Sequence, residues 1–225
     1  IKVTVDQKLD QHRAWVLGVT GAGKAIDRHS VRYLAEQHGV DVCFSANKPA
    51  KCKLLVADME ATIILDEMLD LMAHDCGIGA AVSDITARTM SGELDFEQSF
   101  RHRTQLFAGT TQAQLEDLCG RIRIAPGARD LVQSMRSAGA VTVLATGGFG
   151  VFANEVARIC GFDRVYANHP VMQDGVMTGA LQEPVGTTQT KKEIMLNCCE
   201  DLGISPQSSC CVGDGANDIQ MLQSC

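Results

Sequence analysis

Asp58 and Glu60 stand two positions apart at the end of the stretch Lys53-Leu-Leu-Val-Ala-Asp-Met-Glu-Ala-Thr62. In an extended or turning backbone, residues two apart face the same side, so both carboxyls can serve one cavity while Thr62 follows at the turn. That pairing suits phosphoryl transfer. One carboxylate can attack phosphorus to form an aspartyl phosphate, and the other can pass a proton to and from the leaving oxygen. Two further stretches offer what such a reaction needs. Thr146-Gly147-Gly148 brings a hydroxyl and backbone N–H groups that can approach an anion closely. Gly213-Asp214-Gly215-Ala216-Asn217-Asp218 brings two carboxylates and an amide. Carboxylates crowded together repel one another unless a cation lies between them, and oxygen-only ligands beside a phosphate point to Mg²⁺.

These residues need a scaffold that brings distant strand ends together. Leu54–Ala57 is apolar throughout with no helical period, which reads as a short buried strand ending at Asp58, where an open α/β sheet carries its chemistry. Val141–Ala145 reads as the strand before Thr146, Val165–Ala167 as a third, and Cys210–Val212 as the strand before Gly213. Helices alternate with them, at about Ala128–Ser137 after Pro126-Gly127, from the Thr146–Phe149 turn through Cys160, and at about Thr190–Leu202. Asp174-Gly175 reads as a hairpin turn. The expected fold is α/β, a doubly wound parallel sheet. Directly after the first strand, Ile63–Met72 opens a helical region lasting to about Arg123, with helices at Val82–Met90, Phe96–Phe107 and Thr111–Arg121. A helical insert in that place would lie above the catalytic edge as a lid.

Asp58-Met-Glu60-Ala-Thr62, Thr146-Gly-Gly, Lys191 and Gly213-Asp-Gly-Ala-Asn-Asp218 resemble the four motifs of the haloacid dehalogenase superfamily, and the phosphoserine phosphatases within it. The resemblance covers Lys53 to Cys225, including the cap-like segment Met90–Arg103. It implies a Rossmann-type core with a helical cap at about 66–123 and Mg²⁺-dependent hydrolysis of L-phosphoserine through an aspartyl phosphate, the last step of serine synthesis. Carried over by residue, it implies Asp58 as nucleophile and Glu60 as general acid and base. Asp58, the Glu60 carbonyl and Asp214 would bind metal, with Asp218 in support. Thr146, Gly147 and Lys191 would hold the phosphoryl oxygens, with Asn217 nearby, and spacing favours Lys191 over Lys192. In the cap, Glu67 would meet the substrate ammonium, Arg103 its carboxylate, and Phe96 would close the pocket. The family has aspartate where this chain has Glu60. One extra methylene moves a carboxyl by about 1 Å, a shift that can cost on the order of a hundredfold in rate, so Glu60→Asp is expected to raise turnover.

Residues 1–50 read as strand Ala14–Val19, loop Thr20–Arg28, helix Ser30–His38 and strand Val40–Phe44, more weakly similar to half of a ferredoxin-like, ACT-type amino-acid-binding module. Asn47, Lys48, Pro49 and Lys51 form a polar linker that marks a boundary near residue 50. Gly18–Ala25 is one residue short of a nucleotide phosphate loop, because Ala25 lacks the hydroxyl that would bind magnesium. Twenty basic against 27 acidic residues give a net charge of −7 with no basic run, which argues against nucleic acid and anionic membranes as partners. No apolar run is long enough to span a membrane. Ten cysteines in a chain of this size read as reduced thiols, and the pairs Cys198-Cys199 and Cys210-Cys211 lack zinc spacing. The expectation is a soluble cytoplasmic enzyme, with a homodimer left open. Both ends read as cut points, since Ile1 is not methionine and Ala216–Cys225 reads as a helix without a stop signal. Family members continue with a further strand and helix, and without them a sheet edge would be exposed. Three other functions stay open: a phosphotransferase or phosphatase for another small phosphomonoester, an impaired amino-acid-binding regulator, and a nucleotide binder.

Overall fold

The computed structural model describes residues 2–10, 14–20, 27–44, 51–186 and 190–225. The chain divides into two units, Ile1–Pro49 and Ala50–Cys225. In the first, β1 (Lys2–Asp10) pairs antiparallel with β2 (Ala14–Thr20), and α1 (Arg28–Gln37) follows. Asp27 caps α1, its Oδ1 accepting from the His29 and Ser30 N–H groups at 3.1 and 3.4 Å. Two expectations fail here. β1 is a strand that the sequence reading left out, because register shifts between Val5 and Gln7 and between Lys8 and Asp10 interrupt its alternation. Val40–Phe44 is not a strand. No described strand lies beside it to pair with, and the Phe44 ring lies under the guanidinium groups of Arg28 and Arg32 at 5.6 and 5.7 Å. Residues 21–26 of the glycine-rich loop and Asn47, Lys48 and Pro49 of the linker lie outside the described residues.

The second unit is built on a four-stranded sheet of order β5 (Arg164–Asn168), β4 (Val141–Phe149), β3 (Leu54–Ala57), β8 (Ser209–Val212), with every neighbour parallel. All four residues of β3 are buried, as an unbroken apolar run requires of a strand covered on both faces. Leu55 and Ala57 pack toward α6 (Ala128–Ser137) and α7 (Gly150–Cys160), through Val132, Phe152 and Val156. Leu54 and Val56 pack on the opposite face against Ile194, Met195, Cys198 and Cys199 of α8 (Thr190–Asp201) and against Met221. The vicinal cysteines of α8 are thus core residues, whereas Cys210 and Cys211 face opposite sides of β8. All ten cysteines are free thiols. Because Ala57 sits opposite both Leu144 and Val212, the residues that follow β3 and β8 emerge level with Ala145 and Thr146 of β4 at one edge. After β8 a short 3₁₀ turn, Ala216–Asp218, leads into α9 (Ile219–Leu222).

Between β3 and α6 lie α2 (Met68–Asp75), α3 (Gly79–Met90), α4 (Phe96–Leu106) and α5 (Gln112–Gly120). Reciprocal capping boxes start two of them. Asp95 and Gln98 open α4, and Thr111 and Gln114 open α5. This cap joins the core at a narrow neck. Leu65 N–H donates to the Arg123 carbonyl and Ala125 N–H to the Ile63 carbonyl, both at 2.9 Å. The buried Asp66 carboxylate accepts from the Arg123 backbone N–H and from its Nε, both at 2.8 Å. The hairpin of β6 (Pro170–Gln173) and β7 (Val176–Leu181) adds a second tie, since Gly109 N–H donates to the Met177 carbonyl and Met177 N–H to the Thr110 carbonyl. Among the described residues, no helix is long and apolar enough to cross a membrane.

Candidate active site

Asp58 leaves β3 buried, and its Oδ1 accepts two hydrogen bonds, from its neighbour's Met59 N–H at 2.7 Å and from Lys191 Nζ at 2.7 Å. Lys191 comes from the first turn of α8 and also reaches Asp218 Oδ1 at 2.8 Å. Of the two adjacent lysines it is therefore Lys191 that meets the carboxylates. With Oδ1 engaged, Oδ2 of Asp58 is left for a second task. Burial raises the pKa of Asp58; the Lys191 charge and hydrogen bond lower it, and the Asp218 charge raises it further. Asp218 is fully buried, and its Oδ2 accepts from Gly215 N–H at 3.1 Å. Gly213 is required for this fold of the loop, because a Cβ there would stand 2.3 Å from the Asp218 carboxyl carbon. Asp214 is exposed and accepts from the Thr62 hydroxyl at 3.3 Å.

One carboxylate oxygen from each of Asp58, Asp214 and Asp218 lies within 4.8 Å of the other two. Hard oxygen donors converging in this way fit a divalent cation such as Mg²⁺. The Glu60 carboxyl is not part of this triad. It turns to the start of α2, where Oε1 accepts from Met68 N–H at 3.2 Å, and it lies against Gly148, whose added Cβ would be 3.1 Å from Oε2. The Glu60 carboxyl is thus bonded to the first residue of α2, the first helix of the cap. Burial above all, then the charges of Glu67 and Asp58, push the Glu60 pKa up to about 8.

The apolar run predicts a strand ending at Ala145, with Thr146–Phe149 as a turn. In the structure the strand runs to Phe149, and its pairing with β5 is interrupted between Ala145 and Phe149. Thr146-Gly147-Gly148 occupies that interruption. The buried Thr146 Oγ1 accepts from Gly148 N–H at 2.9 Å, which leaves the hydroxyl proton to be donated elsewhere. Thr146, Gly147, Lys191 and Asn217 line one cleft together with Gly186 and Thr190, two residues that sequence reasoning missed. Phe96 closes that cleft from above. Its Cζ lies 2.9 Å from where a Gly147 Cβ would be, so any larger residue there would push the ring away. The space left is about 20 Å³, enough for roughly one water molecule.

The other cap residues converge here too. Glu67 stands at the N-cap of α2 without capping it, and burial, then the charges of Asp70, Asp214 and Asp58, raise its pKa. The Arg103 guanidinium lies 5.8 Å from the Phe100 ring centroid, within charge range of Glu60, Asp70 and Glu67. Its Nε is buried without a hydrogen-bond partner among the described residues. A larger cleft of about 280 Å³ lies elsewhere, between α2 and α5, lined by Met72, Asp75, Cys76, Thr110, Asp117 and Leu118. It contains no cation to meet a phosphate and none of the residues above.

Residues 52–225 match the family of haloacid dehalogenase-like hydrolases. A phosphoserine phosphatase of Halobacterium salinarum is 39% identical over 173 residues, 76% of this chain and 82% of that protein. One of Archaeoglobus fulgidus is 32% identical over 199 residues, covering 87% of this chain; the chain spans 58% of the length of that protein. A solved structure described as a phospho-aspartyl intermediate analogue of phosphoserine phosphatase superposes with a TM-score of 0.70 at 32% identity, covering 78% of this chain and 84% of the other. With the buried strand-end aspartate, the lysine that bridges it to a second carboxylate and the interrupted Thr-Gly-Gly strand all in place, the chain belongs to the haloacid dehalogenase-like hydrolases, in their phosphoserine phosphatase group.

Proposed function

We propose that this protein hydrolyses L-phosphoserine to L-serine and phosphate, the closing step of serine synthesis, with Asp58 as nucleophile. The observation that carries this reading is Asp58 itself, buried at the end of a central strand and held by Lys191 at 2.7 Å beside Asp214 and Asp218. Asp58 attacks phosphorus, forming a P–O bond to its carboxylate as the bond to the serine oxygen breaks. Glu60, still protonated at neutral pH with a pKa of about 8, gives that oxygen its proton. The ionised Glu60 then takes a proton from water as the water oxygen bonds to phosphorus and the Asp58–phosphorus bond breaks, releasing phosphate. Lys191, the Thr146 hydroxyl and the Gly147 backbone hold the phosphoryl oxygens, since positioning and charge supply most of the catalysis in phosphoryl transfer. Mg²⁺ held by Asp58, Asp214, Asp218 and the Glu60 carbonyl would offset phosphoryl charge.

Arg103 suits the substrate carboxylate, because a guanidinium presents a planar fork of donors. Glu67 suits the substrate ammonium. The closed cleft beneath Phe96 requires the cap to swing open for substrate to reach Asp58 and shut again to exclude water. Ten free thiols fit a reducing compartment, which for this chemistry is the cytoplasm. The N-terminal unit enters this reading as an ACT-like amino-acid-sensing module. Phosphate release from L-phosphoserine, measured with and without Mg²⁺ against an aryl phosphate, tests the activity. Mg²⁺-dependent release that prefers L-phosphoserine is expected, and equal or better use of the aryl phosphate would sink it.

A further inference from the structure

Asn168 is the last residue of β5, only 3% exposed, and uncharged beside a site built from charges. Its amide joins two segments that are far apart in sequence. Nδ2 donates to the Gly147 carbonyl at 2.8 Å, and Oδ1 accepts from Gly186 N–H at 2.7 Å. Gly147 and Gly186 form two walls of the cleft that also contains Thr146, Lys191 and Asn217. One side chain thus fixes the gap between the wall from β4 and the wall that leads to α8. The partners also settle which way the amide points, since only this orientation sets a donor against a carbonyl and an acceptor against an N–H.

The Gly147 carbonyl belongs to the peptide plane whose N–H is that of Gly148, and that N–H donates to Thr146 Oγ1 at 2.9 Å. The plane is pinned at both ends, by Asn168 and by Thr146. It lies where the β4–β5 ladder is interrupted, so the Asn168 side chain supplies the restraint the ladder does not. If the plane rotated, Thr146 Oγ1 would lose the N–H that occupies its lone pair, and its hydroxyl proton would lose its direction.

We propose that Asn168 is a positioning residue for phosphoryl transfer, clamping the Gly147–Gly148 peptide so that the Thr146 hydroxyl and the Gly147 backbone face the phosphoryl group. The proposal rests on the phosphatase reading above, and two measurements separate them. Asn168→Asp keeps the size and the acceptor for Gly186 N–H but sets an oxygen against the Gly147 carbonyl; Asn168→Ser is too short to span both partners. Turnover of L-phosphoserine is measured per mole of folded protein, alongside orthovanadate affinity in the presence of Mg²⁺. Both variants are expected to lower kcat by roughly 30- to 100-fold, the scale of a misplacement near 1 Å. KM should stay within about threefold, and vanadate binding should weaken by a factor comparable to the kcat loss. Thr146→Val is expected to remove most of the Asn168→Asp effect when the two are combined, because one acts through the other. Unchanged kcat and vanadate affinity in either folded variant, or effects that simply multiply in the double variant, would overturn the proposal. A wild-type protein that binds vanadate but does not hydrolyse L-phosphoserine would remove the substrate reading alone, with the clamp still judged by vanadate.

Discussion

Lys191 in the floor of the site and Arg103 in the cap are both cations set among carboxylates, and they are held on opposite terms. Lys191 has its partners at 2.7 and 2.8 Å, and all three side chains are almost wholly buried. Arg103 rests on Phe100 and meets its carboxylates at charge range, with Nε lacking a hydrogen-bond partner among the described residues. Burial is the largest influence on it and lowers its pKa. A buried donor left without a partner costs about 1–3 kcal/mol, which a ligand carboxylate would recover. On the function proposed above, the floor carries the chemistry with its cation already paired, whereas the cap selects the substrate whose carboxylate would pair with Arg103.

Asp58→Asn is the strongest way to break that division. Removing the nucleophile is expected to lower phosphate release by about 10⁴-fold or more while calorimetry still records L-phosphoserine binding. A variant that kept a tenth of its activity would show that the floor does not carry the reaction. Arg103→Lys should leave the opposite signature. Losing a forked contact to a carboxylate is expected to raise KM for L-phosphoserine by roughly 10- to 50-fold with kcat within about threefold, and to leave aryl phosphate turnover unchanged. A fall in kcat without a rise in KM would erase the distinction between floor and cap.

Glu60 belongs to both regions, since it stands two residues after Asp58 yet bonds to Met68, the first residue of α2 in the cap. Its folded-state pKa of about 8 lies above the ordinary glutamate value near 4.3. The sign follows from proton binding. As pH rises from the ordinary value toward 8, the unfolded chain gives up this proton before the folded protein does, so stability falls across that window and the loss is constant above it. In metal-free protein, Glu60→Gln is expected to be stabilising by on the order of 4 kcal/mol at pH 8 and nearly neutral near pH 4. Denaturant melts at the two pH values decide this, and an offset that does not change with pH would show that burial of the charge is not the cause. With Mg²⁺ present, the proposed acid role predicts that wild-type turnover declines as pH rises through the Glu60 pKa, which the positive charge of the metal would lower from its metal-free value.

Asp58, Thr146 and Asp214 were legible in the sequence because each stands at or just past a short, mostly apolar stretch that reads as a strand, with Asp218 in the turn that follows, and strand ends on one edge of a parallel sheet must meet. The sheet itself was legible for the same reason, apart from the continuation of β4 through Thr-Gly-Gly to Phe149, where an interruption and a turn look alike. Phe96, Glu67 and Arg103 could be singled out only by family resemblance. Helical periodicity separates a buried face from an exposed one but does not say which buried residue overlooks the site. Asn168 and Gly186 were missed because their role depends on the register of β4 against β5. A polar residue directly after Val165–Ala167, at a third strand end, was the available signal. Val40–Phe44 shows the reverse error, an alternating apolar stretch with no strand beside it among the described residues.

The neck between the regions gives the smallest expected effect and the finest test. Asp66 and Arg123 are 57 residues apart in sequence and bridge the two crossings into the cap. Hydrogen bonding from Arg123 holds the Asp66 pKa below the usual carboxylate range. A depressed pKa stabilises the fold above the ordinary value of about 3.9, and the gain is lost as pH falls through the folded-state value. Asp66→Asn should therefore lower Tm by about 2–4 °C at pH 7, and the gap to wild type should close in acid. The two backbone bonds across the neck, Leu65 to Arg123 and Ala125 to Ile63, remain in this variant. They should keep kcat and KM within about twofold, because the cap would still be hinged at the same place. If kcat fell along with Tm, the neck would be setting how the cap closes over Asp58, and the cap would share in the chemistry as well as in selection.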